Sequence, residues 1–559
     1  MSLDVSQQKC VAIYAPMVGG LYYSELITQI IQLCEVKSYK VKIFRTGGYG
    51  EYDMEFAMED VDIVVLLRNA VHTQWVKAAR AGGKAVVSIS YDYFPLDVPV
   101  VASDHCSGVK LALDSLKASG ASSYAFLGNL SNFDIRKRYE SFCDDIEDKG
   151  LKLSEEHLFV VDEDLLSGGY QAAKKFVEMS CEADGLVFGT TTNAIGFCRF
   201  LKNTEPSLLR NLHITSFDAN SMVPVMGPNI ATIDQNYNLM AYKVISLGEK
   251  ICAGIEVEQR HHVQPKLIHQ ESEAFDTAEA YMATSYEKLE LSDPNYMKCL
   301  MYNMHEWAEN VAKSRLDEIM ALRPIFEGLL EVATFGRFVN VGSTKKMYKV
   351  LKTFLPDSII EYSPQDKLSL SLEREFPVDT KEVSYSSFKK ELHFMIRKGG
   401  RYWGCLSTFG NLESTAGKSS IVGLSMYIEW ILTFLSPNSN PERHSENSRL
   451  EGESQKPIAI EGEILWDLGR NTFSWDDEAL KLLGFCSDLD RGIYRNMELS
   501  DRVKDEDLPV LRQCLSSISE EGFSSALLFR HKNRKYINCE LSAQQVGDGM
   551  QVTFKIVPI

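Results

Sequence analysis

The side chains best equipped to hold a polar molecule stand just beyond short apolar runs in the first half of the chain. Tyr22 and Tyr23 follow Cys10–Tyr14, Asn69 follows Asp62–Leu67, and Asp92 follows Ala85–Ile89. Thr191 comes after Leu186–Gly189, and Asp218 after His213–Phe217; Lys40–Phe44 and Tyr124–Gly128 are runs of the same kind. Runs this short and this apolar fit strands buried on both faces, with helices covering a parallel sheet. Residues at the carboxyl ends of parallel strands face a crevice, so Met17–Tyr23, Asn69, Asp92, Asp104, Arg138, Thr191 and Asp218 are expected to converge on one cleft. The chemistry on offer is binding. Carboxylates and a guanidinium hydrogen-bond hydroxyls or carboxylates, while aromatic faces cover an apolar side.

Catalytic patterns are few and each fails on its surroundings. Gly417-Lys418-Ser419 invites a phosphate-loop reading, but Leu412 stands where the loop requires glycine. Glu478-Ala479-Leu480 spells a phosphodiesterase signature without the domain that carries it. No nucleophile–base pair, H-E-x-x-H or G-x-S-x-G is present, so no enzyme activity and no cofactor is expected. The 12 cysteines include no C-x-x-C pair, which removes support for a zinc site or a redox dithiol. They read as small buried hydrophobes of a reducing compartment. A net charge of -18 disfavours a dominant nucleic-acid surface. The polar start of the chain and the absence of any run of ~18 apolar residues point to a cytoplasmic protein without a membrane span.

At 559 residues the chain should divide into several domains. Two sequential sets of strand–helix units over 1–275 imply an α/β protein of two lobes with a ligand cleft between them. From 276 to 335 a helical connector is expected. Asp293-Pro294 breaks one helical segment, and Leu300, Met304, Trp307 and Val311 then share one face. That stripe suits either packing on a neighbouring domain or a parallel dimer helix. Residues 336–435 read as a small α+β domain, with Leu392–Ile396 and Tyr402–Leu406 flanking a Gly399-Gly400 turn and a closing helix over about Ser419–Leu435. The stretch 436–456 holds almost no large apolar residue and reads as a flexible linker. A second α+β unit fills 457–559 and ends on the strand-like Gln551–Val557.

Several short motifs of the first half occur in the order of a known family. Val101-Ala102-Ser103-Asp104, Arg138-Tyr139-Glu140-Ser141-Phe142, Ala194-Ile195-Gly196, Thr215-Ser216-Phe217-Asp218, Ala231-Thr232-Ile233-Asp234-Gln235 and Pro265–Ile268 follow one another. Together they resemble the ligand-binding core of the lactose/purine repressors and periplasmic sugar-binding proteins, over about residues 9 to 272. The resemblance implies a two-lobed periplasmic-binding-protein-like fold whose cleft takes a small polar metabolite. Arg138 and Asp218 occupy positions that often touch ligand in that family; a structural ion pair at the hinge is the alternative. Gln235 joins the ligand-binding set by the same resemblance. Where the family often has an N-D pair, this chain has Thr190 and Thr191. That departure leaves a nucleobase, an amino-acid derivative or a modified sugar open as ligand. The repressors place a helix-turn-helix head where fewer than ten residues precede Cys10, so direct DNA binding by the usual route is not expected.

The second half carries two further resemblances. An amphipathic helix expected over about Arg323–Val332, Met347–Leu355 and the strand-turn-strand ending Tyr402-Trp403-Gly404-Cys405-Leu406 together resemble a GAF domain. Trp466-Asp467, Phe473-Ser474-Trp475, Leu482-Leu483-Gly484, Val503 with Asp505–Asp507, and Phe529–Ile537 resemble a PAS domain. Such domains follow a ligand-binding unit in the sensory regions of bacterial diguanylate cyclases and kinases. The resulting expectation is a homodimeric small-molecule sensor in signal transduction. Ligand-driven lobe closure would pass through the connector to the GAF-like and PAS-like modules, and then to an output domain or a separate signalling partner. The alternatives are a transcriptional regulator of the lactose-repressor family acting through a partner, or a non-catalytic dimerisation scaffold.

Overall fold

The computed structural model describes residues 8–18, 21–218, 230–269, 332–341, 345–355, 358–362, 370–381, 383–398, 401–410, 462–468, 472–516, 522–532, 535–546 and 551–558. The expected Leu300–Val311 stripe, the helix over Ser419–Leu435 and the linker 436–456 lie outside the described residues.

The chain opens with β1 (Cys10–Ala15), α1 (Leu21–Val36), β2 (Lys40–Arg45), β3 (Ile63–Leu67), α2 (Thr73–Ala81), β4 (Ala85–Ile89) and β5 (Val100–Ser103). It continues with α3 (His105–Ala118), β6 (Tyr124–Gly128), α4 (Phe133–Asp148), β7 (Leu153–Val160), α5 (Leu166–Glu178), β8 (Gly185–Phe188), α6 (Thr191–Thr204), α7 (Pro206–Asn211), β9 (His213–Phe217) and β10 (Ile230–Asp234). Then come α8 (Tyr237–Cys252), β11 (Arg260–Val263) and β12 (Lys266–His269).

These elements build two lobes. In the first, β11, β5, β4, β3, β1 and β2 lie side by side, all parallel. In the second, the order is β12-β10-β9-β8-β6-β7, parallel except for β12. Every residue of β1, β3 and β4 is buried, as expected of strands covered on both faces. Helices α1 and α8 cover one face of the first sheet, through Ile27, Ile31, Met240 and Val244. On the other face Tyr14 stacks on Phe44 and packs against Trp75 of α2. Each such side chain contributes about 1.5–3 kcal/mol by leaving water. The chain passes between the lobes three times, at Ser103–His105, Asp234–Tyr237 and Val263–Lys266.

The next group is β13 (Val332–Val341), β14 (Lys345–Leu355), β15 (Ser358–Glu361), β16 (Leu370–Leu372), β17 (Lys390–Lys398) and β18 (Arg401–Gly410). Its first strand starts at Val332, the last residue of the segment read as a helix; the rest of that segment lies outside the described residues. Residues 336–435 are expected to form a domain of their own, but the described strands join the first lobe's sheet. β17 runs parallel to β2, with Leu392 opposite Ile43, so a 12-stranded sheet results. The reason is the open edge of β2, whose unpaired backbone groups are a template for another strand. Val41 N–H donates to the Lys389 carbonyl at 2.9 Å. The buried Lys42 ammonium is matched by Asp60 at 2.7 Å and Glu391 at 3.6 Å.

The last unit comprises β19 (Gly462–Asp467), β20 (Thr472–Trp475), α9 (Asp477–Leu482), α10 (Asp488–Tyr494), α11 (Leu508–Ser516), β21 (Phe523–Arg530), β22 (Tyr536–Val546) and β23 (Gln551–Pro558). Its five strands make one antiparallel sheet in the order β20-β19-β23-β22-β21. The unit docks by side chains onto both lobes. Arg502 pairs with Glu140, and Arg530 with Asp144 at 2.8 Å, on the second lobe. On the first lobe, Arg512 pairs with Asp92 at 3.1 Å and lies 4.8 Å over the Phe94 ring.

Candidate functional site

The two lobes present their strand ends to one another, and each sheet reverses its strand order there, between β1 and β3 and between β6 and β8. Such reversals open a crevice at the carboxyl ends of the strands. Four residues at these ends have left-handed backbone: Arg68 (φ 54°), Ser90 (φ 57°), Asp218 (φ 74°) and Asn236 (φ 62°). Strain of this kind persists where the surroundings over-determine it, and it concentrates at binding sites. A close approach sets the far wall. A Cβ on either Gly128 or Gly189 would come within 2.6 Å of Ile135 Cγ2. The two glycines let the start of α4 settle on the strand tips, and this brings Arg138 to the Gly189 carbonyl at 2.6 Å.

A chain of polar contacts then crosses the cleft. Arg68 of the first lobe donates to Asp134 of the second at 3.0 Å. Asp134 lies 3.2 Å from His105 Nε2, and Arg138 Nε donates to His105 Nδ1 at 3.4 Å. Arg138 reaches Asp218 at 3.8 Å and sits 4.2 Å over the Phe217 ring. Asp218 in turn accepts from Gln235 and, at 3.2 Å, from the Tyr237 hydroxyl at the crossover into α8. Burial alone would raise the Asp134 carboxyl, but Arg68, His105 and Arg138 hold it well below the usual carboxylate range. Burial lowers His105 and so favours neutral imidazole. A neutral ring with its proton on Nε2 donates to Asp134 and accepts from Arg138, which satisfies both contacts.

The expected site residues divide into three groups. Arg138, Asp218 and Gln235 stand together in the contact chain. Tyr22 and Tyr23 form the first-lobe wall: Tyr22 OH donates to Ser90 Oγ at 3.0 Å, and Tyr23 OH lies 3.3 Å from Tyr49 OH. Their rings meet edge to face, 5.1 Å between centroids. Asn69 lines the same crevice next to Arg68. The others are committed elsewhere. Thr191 is fully buried and donates to the Phe217 carbonyl at 2.5 Å. Asp104 caps α3, accepting from Ser107 N–H at 2.9 Å and from Gln264 at 2.8 Å. Asp92 is turned to the last unit, held by Arg260 at 3.0 Å and Arg512 at 3.1 Å. Arg68, His105 and Asp134 were not among the expected residues. The one signal for Arg68 is its position directly after the Asp62–Leu67 run, one residue before Asn69.

Outside the contact chain, the cleft mouth widens into a cavity of about 510 Å³ bounded by both lobes and by the last unit. Among the described residues no group of His, Cys, Asp and Glu is arranged to hold a metal ion. No helix among them is long and apolar enough to cross a membrane.

No family model matches the chain. It is 19% identical over 280 residues to the HTH-type transcriptional regulator RegA of Clostridium saccharobutylicum, covering 48% of this chain and 83% of that protein. It is 25% identical over 262 residues to the sucrose operon repressor of Lactococcus lactis, covering 44% and 76%. Among solved structures, the transcription regulator CcpA of Lactococcus lactis is 16% identical with a TM-score of 0.39, covering 47% of this chain and 99% of that one. A LacI-family regulator from Sanguibacter keddieii is 19% identical with a TM-score of 0.41, covering 47% and 97%. Both sequence relatives are bacterial transcriptional regulators by name. The expected diguanylate cyclase or kinase context finds no support among them, whereas the regulator alternative does.

Proposed function

We propose that this chain is a ligand-responsive regulator whose interlobe cleft binds a small polar metabolite. The observation that carries the reading is the contact chain from Arg68 through Asp134, His105 and Arg138 to Asp218, which ties one lobe to the other and ends at a crossover. A ligand that replaces part of this chain changes the free energy of lobe closure by its differential affinity for the two arrangements. Arg138 and Asp218 would orient its hydroxyl, amide or carboxylate groups, while Tyr22 and Tyr23 cover an apolar side. The arrangement of a strand pair, helices and three further strands in one sheet over 462–558 supports a PAS-like reading of the last unit, and 332–410 would be a GAF-like counterpart. Both would receive the change of lobe angle, in a cytoplasmic homodimer.

The output we favour is transcriptional control, through a partner that contacts nucleic acid, because both sequence relatives are transcription regulators. Thermal-shift screening of the full chain against sugars, nucleosides and amino acids at millimolar levels tests the ligand claim. A stabilising compound whose effect disappears in Arg138→Ala is the expected result. If no polar metabolite stabilises the chain, the cleft is a scaffold and the proposal fails. Retardation of operator DNA by the chain alone, weakening steeply with salt, would replace the partner by direct binding.

A further inference from the structure

Arg136 places a charge inside the fold, on α4. It is buried, its guanidinium donates to the Leu130 carbonyl at 3.3 Å, and among the described residues no carboxylate lies within ion-pair distance of it. Glu140 acts on this cation only through space, without a direct ion pair, so the guanidinium keeps room for a further anion. Arg136 and Arg68 both line the cavity at the cleft mouth, and Arg68 Nε is buried there without a hydrogen-bond partner.

The roof of that cavity belongs to the last unit. Leu465, Asp467, Thr472 and Ser474 face it from β19 and β20, and Asn496 and Glu498 from the loop after α10. Ion pairs hold this roof to both lobes, through Arg512 with Asp92 and Arg502 with Glu140. Burial, with Asp501 beside it, raises the Glu498 carboxyl well above the usual range, which favours its protonated form on the cavity wall. Tyr91 and Phe133 add ring surface on the lobe side. About 510 Å³ falls within the range of roughly 300–1,000 Å³ typical of small-molecule sites.

We infer that the last unit forms the third wall of the ligand compartment, and that this compartment takes a ring-bearing organic phosphate of nucleoside-monophosphate size. Two guanidiniums from different lobes, with hydroxyl and amide donors around them, suit a group with three acceptor oxygens better than a two-oxygen carboxylate. Tyr91, Phe133 and Leu465 cover the ring. The inference rests on the cleft being a ligand site, and it adds the roof and the anion.

The test is calorimetric titration of the full chain with the four common nucleoside 5′-monophosphates, the matching nucleosides and inorganic phosphate. At least one monophosphate should bind, with its nucleoside weaker by about tenfold to a hundredfold, the usual worth of charge-assisted hydrogen bonds. Arg136→Gln should bring the monophosphate to the level of the nucleoside. Ser474→Trp, at an exposed position of β20, should block the roof and weaken binding by about tenfold or more. Circular dichroism and melting of each variant establish that it is folded, and Thr472→Trp offers a second exposed position for the same block. If nucleosides bind as well as monophosphates, or both roof variants bind like the parent, the inference is overturned while the cleft reading stands. If only inorganic phosphate binds, the ring is wrong and the inference fails. If Arg138→Ala abolishes binding of some neutral metabolite and no monophosphate binds, the cleft reading survives without the third wall.

Discussion

The two smaller units attach to the same two-lobed body in opposite ways. Strands β13–β18 continue the first lobe's sheet through a backbone ladder, β17 on β2, and their side chains enter the same cores as Ile13, Ile43, Tyr14 and Phe44. The unit built on β19–β23 closes its own sheet and meets the lobes through side chains: arginines on carboxylates, and apolar residues that share one core cluster with the second lobe. A ladder cannot be opened without exposing a row of backbone donors and acceptors, each costly to leave unpaired. A face of docked side chains, ion-paired and apolar, can part without opening any backbone ladder. The first attachment therefore behaves as part of the lobe, and the second as a separable module.

Substitution of core aromatics should expose this contrast most strongly. Phe394→Ala, fully buried in β17, is expected to cost about 3–5 kcal/mol and to speed hydrogen exchange in β1–β4 as well as in β13–β18. Phe554→Ala should cost a similar amount but leave β1–β4 as protected as in the parent. Equal protection of β1–β4 in both variants would dissolve the distinction. Next in size, Glu140→Ala leaves Arg502 buried and unpaired, at about 3 kcal/mol. The last unit should keep its fold and leave the lobes, which small-angle scattering would register as expansion.

A smaller effect follows from pH. Burial opposes ionisation of Glu140, yet Arg502, Lys137 and Arg136 bring its pKa down to about 2 from 4.5. Docking is thus fully supported above pH 4.5 and weakens as pH falls toward 2. Expansion setting in near neutrality would show that Glu140 is not the tie. The smallest expected change is inside the cleft. Burial raises Asp164 to about 6 from 3.8, so its ionised form weighs against the fold increasingly as pH climbs from 3.8 through 6. Asp164→Asn should raise the melting temperature slightly at pH 8 and leave it unchanged near pH 3.8.

How far the sequence foretold this depends on whether the determining contacts were local. Ala85–Ile89, Tyr124–Gly128 and His213–Phe217 are strands within the expected bounds, because a run buried on both faces declares itself without reference to its neighbours. β7 escaped notice, since Leu153–Val160 is an edge strand carrying Ser154, Glu155, Glu156 and His157. The cleft was legible as a set of strand ends, and Arg138, Asp218 and Gln235 do meet. Arg68, His105 and Asp134 were not legible, because their roles arise only when two lobes face each other. Asp92 misled for the same reason in reverse: its partner Arg512 lies 420 residues away. The merging of β17 with β2 was equally hidden, as no local pattern announces which open edge a strand will join.

The chain leaves one lobe before residue 270 and returns to the other after residue 331. β12, its last strand before residue 270, belongs to the second lobe, while β13–β18 are laddered to the first. The two ends of the segment 270–331 are thus anchored on opposite sides of the joint. Any rotation of the lobes changes the span between those anchors.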